Sequence, residues 1–140
     1  MRKSFWFLGL SALLLAGCGS LLDTGEPNFE FAALVLTPDS SLVSSAEVVP
    51  LNNGLWIEGN IVAPNDCQRV EASVRDGGGR FTLTINSRQS GSACATSVGY
   101  YHYRFIVNAL DEGATMVQVV YNFNGAKPNE TVFNESVNVP

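Results

Sequence analysis

The sequence predicts an all-β domain folded as an antiparallel β-sandwich of seven to eight short strands. From residue 28 onward, apolar and polar residues alternate with a period of two, which is typical of half-buried antiparallel strands. Clusters of Gly, Pro, Asn and Asp separate these runs, and no stretch has the periodicity of an amphipathic helix. A small β-barrel is the alternative that the same pattern allows.

The alternation of apolar and polar residues is clear in the first two predicted strands. "FEFAALVL" places Phe29 and Phe31 on one face, and "LWIEGNIVA" places Leu55, Ile57 and Ile61 on one face. Both patterns predict strands with one side buried. The predicted strands are residues 29–36, 55–63, 68–74, 80–86, 100–110, 115–123 and 131–139.

The third and fourth runs predict a β-hairpin. In "QRVEASV" apolar residues such as Val70 alternate with charged or polar ones, and "RFTLTIN" alternates Phe81, Leu83 and Ile85 with polar residues. The glycine-rich stretch "DGGG" at residues 76–79 lies between them and can reverse the chain direction.

The last three runs complete the domain. In "YYHYRFIVNAL" we expect Tyr101 and Tyr103 to be buried with Phe105, while His102 and Arg104 face water. "TMVQVVYNF" repeats the buried pattern, and "TVFNESVNV" is polar enough for an edge strand.

The stretch "LDEGATMVQV" at residues 110–119 resembles the "L-x-P-G-x-Y-x-V-x-V" turn and strand of fibronectin-like and other immunoglobulin-like domains. Leu110, Gly113 and the two valines match, but Glu112 replaces the proline and Thr115 the tyrosine. The resemblance covers ten residues and implies an immunoglobulin-like sandwich without the tyrosine corner.

Cys67 and Cys94 bracket the predicted hairpin. If the chain is exported, this pair of cysteines favours a disulfide, which would close a loop of about 28 residues and have a structural role. Two free reactive thiols, or a pair of metal ligands, are the alternative.

The first seventeen residues have the composition of a signal peptide. Arg2 and Lys3 precede the apolar run "FWFLGLSALLLAG", which at about thirteen residues is shorter than the roughly 20 that a transmembrane helix needs.

The apolar run ends in Leu15, Ala16, Gly17 and Cys18, and this order resembles the lipobox of bacterial lipoproteins. The resemblance implies cleavage before Cys18 and a covalent lipid on its thiol, without any other cofactor. A chance cysteine in an ordinary secretory signal is the alternative. We therefore divide the chain into a cleaved signal peptide (1–17), a lipidated tether (18–27) and a β-sandwich domain (28–140).

The resemblance to a lipobox implies that the protein lies in the cell envelope, bound to a membrane through its lipid. Gly19 stands where an aspartate would favour retention at the inner membrane, so the outer membrane is favoured if the bacterium has two. Cleavage would leave 13 acidic residues against 6 Lys and Arg. This acidity suits an exported soluble domain or a basic ligand, and it argues against nucleic acid as a partner.

We find no catalytic or metal-binding pattern in the sequence. His102 is the single histidine, whereas a blue copper site needs two beside a cysteine. There is no "G-x-S-x-G" motif, and Cys67, Cys94 and His102 lack the closely spaced ligand pairs of a zinc site. The adjacent carboxylates Asp111 and Glu112 occupy a predicted turn, where solvated acids are common. "PNDC" (64–67) and "DGGG" lack the alternating acidic spacing of a calcium loop.

The one candidate interaction patch consists of Tyr100, His102 and Arg104. Alternate positions of one strand share a face, and aromatic and arginine side chains are enriched at interfaces. Decoration of a strand without any partner is the alternative. The sequence thus favours a binding or structural module of the envelope over a secreted-protease inhibitor or a small hydrolase with loop carboxylates.

Overall fold

The computed structural model describes residues 28–94 and 97–140. They form eight β-strands in two sheets of four, so the predicted all-β sandwich is confirmed and the barrel alternative is wrong. Cys18, the predicted signal peptide and the predicted tether lie outside the described residues. The strands are β1 (Asn28–Val35), β2 (Ser45–Leu51), β3 (Gly54–Ala63), β4 (Gln68–Gly77), β5 (Arg80–Gln89), β6 (Gly99–Asn108), β7 (Gly113–Asn122) and β8 (Glu130–Val139).

The first sheet has the strand order β1-β6-β3-β2 and is antiparallel throughout. The second sheet has the order β4-β5-β7-β8, and in it β5 and β7 pair in parallel. The predicted antiparallel arrangement is wrong for this one pair. Between β5 and β7 the chain crosses to the first sheet, where it forms β6, and then returns to the second sheet as β7, so that two crossings restore the original direction.

The core lies between the sheets and is built from alternate residues of the central strands. The predicted inward residues of β3, β5, β6 and β7 are buried, including both Tyr101 and Tyr103. This burial of apolar side chains is the main favourable term in folding. The largest fully buried side chains are Tyr103, Tyr121, Phe81, Phe105, Phe123, Leu55, Ile57, Ile61, Leu83, Ile85, Val107 and Val117.

The predicted hairpin at residues 68–86 is present as β4 and β5. Gly78 and Gly79 form its two-residue turn with φ angles of 63° and 73°. Two successive positive φ angles match the right-handed twist of the flanking strands, and glycine adopts them without a steric penalty.

The two sides of the sandwich are closed to different extents. At one side the edge strands β2 and β8 pack against each other, whereas at the other side β1 and β4 barely touch. The inward-facing residues of β1 therefore remain accessible, with Phe29 41% and Val35 67% exposed. The period-two pattern predicts the correct face of β1, but burial also needs a covering strand.

Two tyrosines place hydroxyl groups inside the core. The Tyr121 hydroxyl lies 2.6 Å from the Ser45 carbonyl oxygen and 3.0 Å from the Tyr103 hydroxyl, and the two rings meet edge to face. Burial raises the pKa of Tyr103 to about 12, partly opposed by the hydrogen bond with Tyr121. Burial raises the pKa of Tyr121 further, and the neighbouring Tyr103 adds to the shift. Both phenols are therefore held in the neutral form.

Lys127 closes one end of the sandwich near β8. Its Nζ donates to the Val62 carbonyl oxygen at 2.8 Å and to Glu130 Oε1 at 2.7 Å, and it lies 4.0 Å from the Phe123 ring centroid. One half-buried cation thus links β3 to β8 through the chain that precedes β8.

Candidate functional site

The three residues of the predicted patch point away from the core on β6. Tyr101 and Tyr103 point inward, so the alternate positions Tyr100, His102 and Arg104 lie on the solvent side of the first sheet. Arg104 is exposed, while Tyr100 and His102 are half-buried. We call this solvent side of the β1-β6-β3-β2 sheet the outer face.

The strand register adds side chains from β1 and β3 to the patch. Arg104 pairs with Ala32 on one side and with Glu58 on the other. Residues directly opposite on antiparallel strands point to the same side of a sheet, so Glu58 also belongs to the outer face. Trp56 follows on β3 one outward position away.

Trp56, Glu58 and Arg104 form one connected group. The Arg104 guanidinium lies 5.5 Å from the centroid of the Trp56 ring, a cation–π contact. Trp56 Nε1–H donates to Glu58 Oε2 at 3.3 Å. The Trp56 indole therefore contacts the Glu58 carboxylate at its edge and the Arg104 guanidinium on its face. The contact with the ring restrains the guanidinium, which stays accessible at the surface.

His102 is oriented by Asn60 of the neighbouring strand. His102 Nδ1 lies 3.1 Å from Asn60 Oδ1. An amide oxygen can only accept, so with Oδ1 in this position the imidazole ring donates from Nδ1. This pair extends the polar part of the outer face by one row beyond Arg104.

A shallow groove of about 310 Å³ runs between β1 and β6 on this face. Its wall on β1 is apolar, with the exposed side chain of Leu34, and its other wall offers Arg104 as a donor and Glu58 as an acceptor. Its volume lies at the lower end of the range for small-molecule sites. The groove is lined by Ala32, Ala33, Leu34, Glu58, His102 and Arg104.

The outer face also carries two neighbouring negative charges. Glu47 of β2 pairs in register with Glu58 of β3, so two carboxylates lie side by side. Like charges directly opposite each other on a sheet are destabilising. Among the described residues, the ion pairs within 4.0 Å involve neither Glu47 nor Glu58.

Sequence reasoning identified the β6 residues of this group and missed Trp56 and Glu58. Alternate residues of a strand share a face, which predicts that Tyr100, His102 and Arg104 lie together. This rule needs no knowledge of neighbouring strands. The inward Leu55 and Ile57 already imply that Trp56 points outward, but nothing in the sequence sets β3 beside β6.

The predicted disulfide between Cys67 and Cys94 is confirmed. The Cα atoms are 5.6 Å apart, and the bridge ties the start of β4 to the segment that follows β5. The nearby Tyr101 hydroxyl donates to the Asp66 carbonyl oxygen at 2.8 Å and accepts from the Gln68 N–H at 2.9 Å. This end of the sandwich is thus fixed by a covalent bond and a buried ring, which agrees with a structural role.

The other candidate ligands do not gather into a site. Asp111 and Glu112 are exposed in the turn between β6 and β7. In "PNDC", Asn65 Oδ1 already accepts from the Cys67 N–H at 3.3 Å and from the Gln68 side chain. Within residues 28–94 and 97–140, no three His, Cys, Asp or Glu side chains are grouped as they would be around a metal ion.

No protein-family model, curated protein or solved structure matches this chain. Among the residues that the structure describes, no helix is both long and apolar enough to cross a membrane.

Proposed function

We propose that this protein is a lipid-anchored lipoprotein of the bacterial cell envelope whose β-sandwich binds a partner through its outer face. The observation that carries the proposal is the joined group of Arg104, Trp56 and Glu58, with Tyr100 and His102 on the same strand face. Tyrosine, tryptophan and arginine are the residue types that contribute most to binding energy at protein interfaces.

The membrane anchor is supported by the lipobox pattern that ends in Cys18. Residues 18–27 form the tether, and ten residues span at most about 35 Å when fully extended. The domain, which begins near Asn28, would therefore stay close to the membrane surface. Gly19 in place of aspartate favours the outer membrane where the bacterium has one.

The chemistry of the outer face indicates the partner. Its Arg104 guanidinium, which contacts the Trp56 ring, suits a carboxylate of the partner, and the Glu47 and Glu58 carboxylates suit a basic side chain. A sheet face with a shallow groove offers a broad contact area, so we assign the partner to envelope proteins with an exposed segment of mixed charge.

A pull-down from solubilised envelopes tests the binding face. The baits are the wild-type chain and its Tyr100→Ala and Arg104→Ala variants, and Arg75→Ala is the matched control because Arg75 is exposed on the other sheet. We expect a partner that wild type and Arg75→Ala recover equally well. Its recovery is expected to fall at least tenfold with each of the two outer-face variants. Equal recovery with all four baits would reject the outer face as the binding site.

Intact mass of the protein purified from its membrane tests the anchor. We expect a chain that starts at Cys18 and carries added acyl mass, and a Cys18→Ser chain without that mass. An unlipidated wild-type chain would refute the lipoprotein assignment while leaving the binding face to be judged by the pull-down.

A further inference from the structure

The edge strand β1 lacks the features that protect the other three edges of the sandwich. β2 contains Pro50 and is covered by β8, and β4 is rich in charge, whereas β1 has no proline and Glu30 is its one charged residue. Natural proteins block exposed edges with charge, proline or a covering element to prevent pairing with other chains. The charged residues of the other edges are Glu47 in β2, Arg69, Glu71, Arg75 and Asp76 in β4, and Glu130 and Glu135 in β8.

The ladder between β1 and β6 identifies the backbone groups of β1 that pair with no other strand among residues 28–94 and 97–140. The Leu36 N–H donates to the Tyr100 carbonyl oxygen at 2.8 Å, and these two residues continue the register of the strand pair. Hydrogen-bonded and non-hydrogen-bonded pairs alternate in an antiparallel ladder, so even-numbered residues of β1 bond to β6. The backbone N–H and C=O groups of Phe29, Phe31, Ala33 and Val35 therefore point away from β6, within the plane of the sheet.

We propose that this edge pairs with β1 of a second copy of the same chain, antiparallel, with the two-fold axis at Ala32. In that register Phe29 lies opposite Val35 of the other copy, and both are exposed in the single chain. Phe31 lies opposite Ala33 of the other copy. In this register the backbone N–H and C=O groups of all four residues hydrogen-bond to the other copy. The β1-β6-β3-β2 sheets of the two copies then form one continuous sheet of eight strands.

The sequence of β1 favours its own copy over other strands. Antiparallel pairing about Ala32 sets Glu30 opposite Leu34, so the one charge of each strand avoids the other and its methylene groups cover an exposed leucine. A register shifted to place Glu30 opposite itself would bring two carboxylates together and is disfavoured. The exposed apolar residues thus cover each other without burying a like-charge pair.

Cysteine cross-linking in the full-length chain, in membranes of the expressing cells, tests the pairing. Ala32→Cys places two thiols on the two-fold axis as a non-hydrogen-bonded pair, with Cα atoms about 4.5 Å apart, which a disulfide can span. Leu34→Cys is the matched control on the same face, because its two copies would lie roughly 14 Å apart. Cys67 and Cys94 are already joined and do not compete.

After mild oxidation we expect a covalent dimer from Ala32→Cys in at least tenfold excess over Leu34→Cys. Co-expression of Glu30→Cys with Leu34→Cys, on differently tagged chains, is expected to give a mixed dimer because these positions face each other. Equal dimer yields from Ala32→Cys and Leu34→Cys would overturn the proposal, and so would the absence of both the Ala32→Cys dimer and the mixed dimer. Neither result depends on the partner of the outer face.

Discussion

Raising the pH above 10 is expected to destabilise the sandwich through its buried tyrosine pair. The pKa of Tyr103 is about 12 in the folded protein and near its ordinary value of 10 when unfolded. Between these values the unfolded chain releases a proton that the folded chain keeps, so the free energy of unfolding falls as the pH rises. The contribution of Tyr103 is fully present below pH 10 and is lost through pH 12. Since one pKa unit corresponds to about 1.4 kcal/mol, the loss is roughly 2 to 3 kcal/mol.

Urea unfolding between pH 9 and 12, followed by tryptophan fluorescence, measures this loss, and tyrosinate absorbance reports the ionisation itself. Tyr103→Phe removes the ionising group, and we expect the free energy of unfolding to fall by roughly 2 kcal/mol less than in wild type over this pH range. Tyr100→Phe, on the outer face of the same strand, is the control and is expected to follow wild type. A Tyr103→Phe chain that loses as much stability as wild type over this range would refute the assignment.

Three further changes test the packing. Gly59→Ala would drive a methyl group into the backbone carbonyl oxygen of Ser45 and set it 2.9 Å from the Tyr103 hydroxyl, and we expect urea unfolding to report a loss of about 3 kcal/mol or more, which an unchanged midpoint would contradict. Replacing Cys67 and Cys94 by alanine should cost about 3 to 4 kcal/mol for a sequence separation of 27, seen as a lower thermal midpoint; an equal midpoint would show that the bridge adds no stability. Lys127→Met removes two hydrogen bonds and a cation–π contact, and a loss of about 1 to 2 kcal/mol is expected in the same assay, whereas a gain would mean that desolvation outweighs these contacts.

Central strands of the fold were predictable because burial there repeats the sequence pattern. Phe81, Leu83 and Ile85 are fully buried since β5 has neighbours on both sides and a sheet above it. β2 was missed because Pro50 interrupts its alternation, and proline is tolerated there at an edge strand. The parallel pairing of β5 with β7 was not predictable, since it depends on which sheet the intervening strand joins.

The candidate site was predictable to the extent that one strand defines it. The alternation along β6 assigned Tyr100, His102 and Arg104 to one side of the sheet. The contacts that organise these side chains come from β3, which is separated from β6 by two strands in the chain and lies beside it in space. Pairing between distant strands is decided by the packing of the whole core, so a reading along the sequence alone misses Trp56 and Glu58.

The place of β1 in the first sheet also affects how the chain is made. Phe31 pairs with Phe105, 74 residues further along, and within the described residues β1 is hydrogen-bonded to β6 alone. Synthesis proceeds from the amino terminus, so β1 emerges while its pairing strand does not yet exist. For that interval both sides of an apolar strand are open, whereas the neighbours in the β2–β3 and β4–β5 hairpins follow each other at once. Among the described strands β1 therefore waits longest for a pairing partner, which favours aggregation during that interval, and non-local pairing of this kind also slows folding.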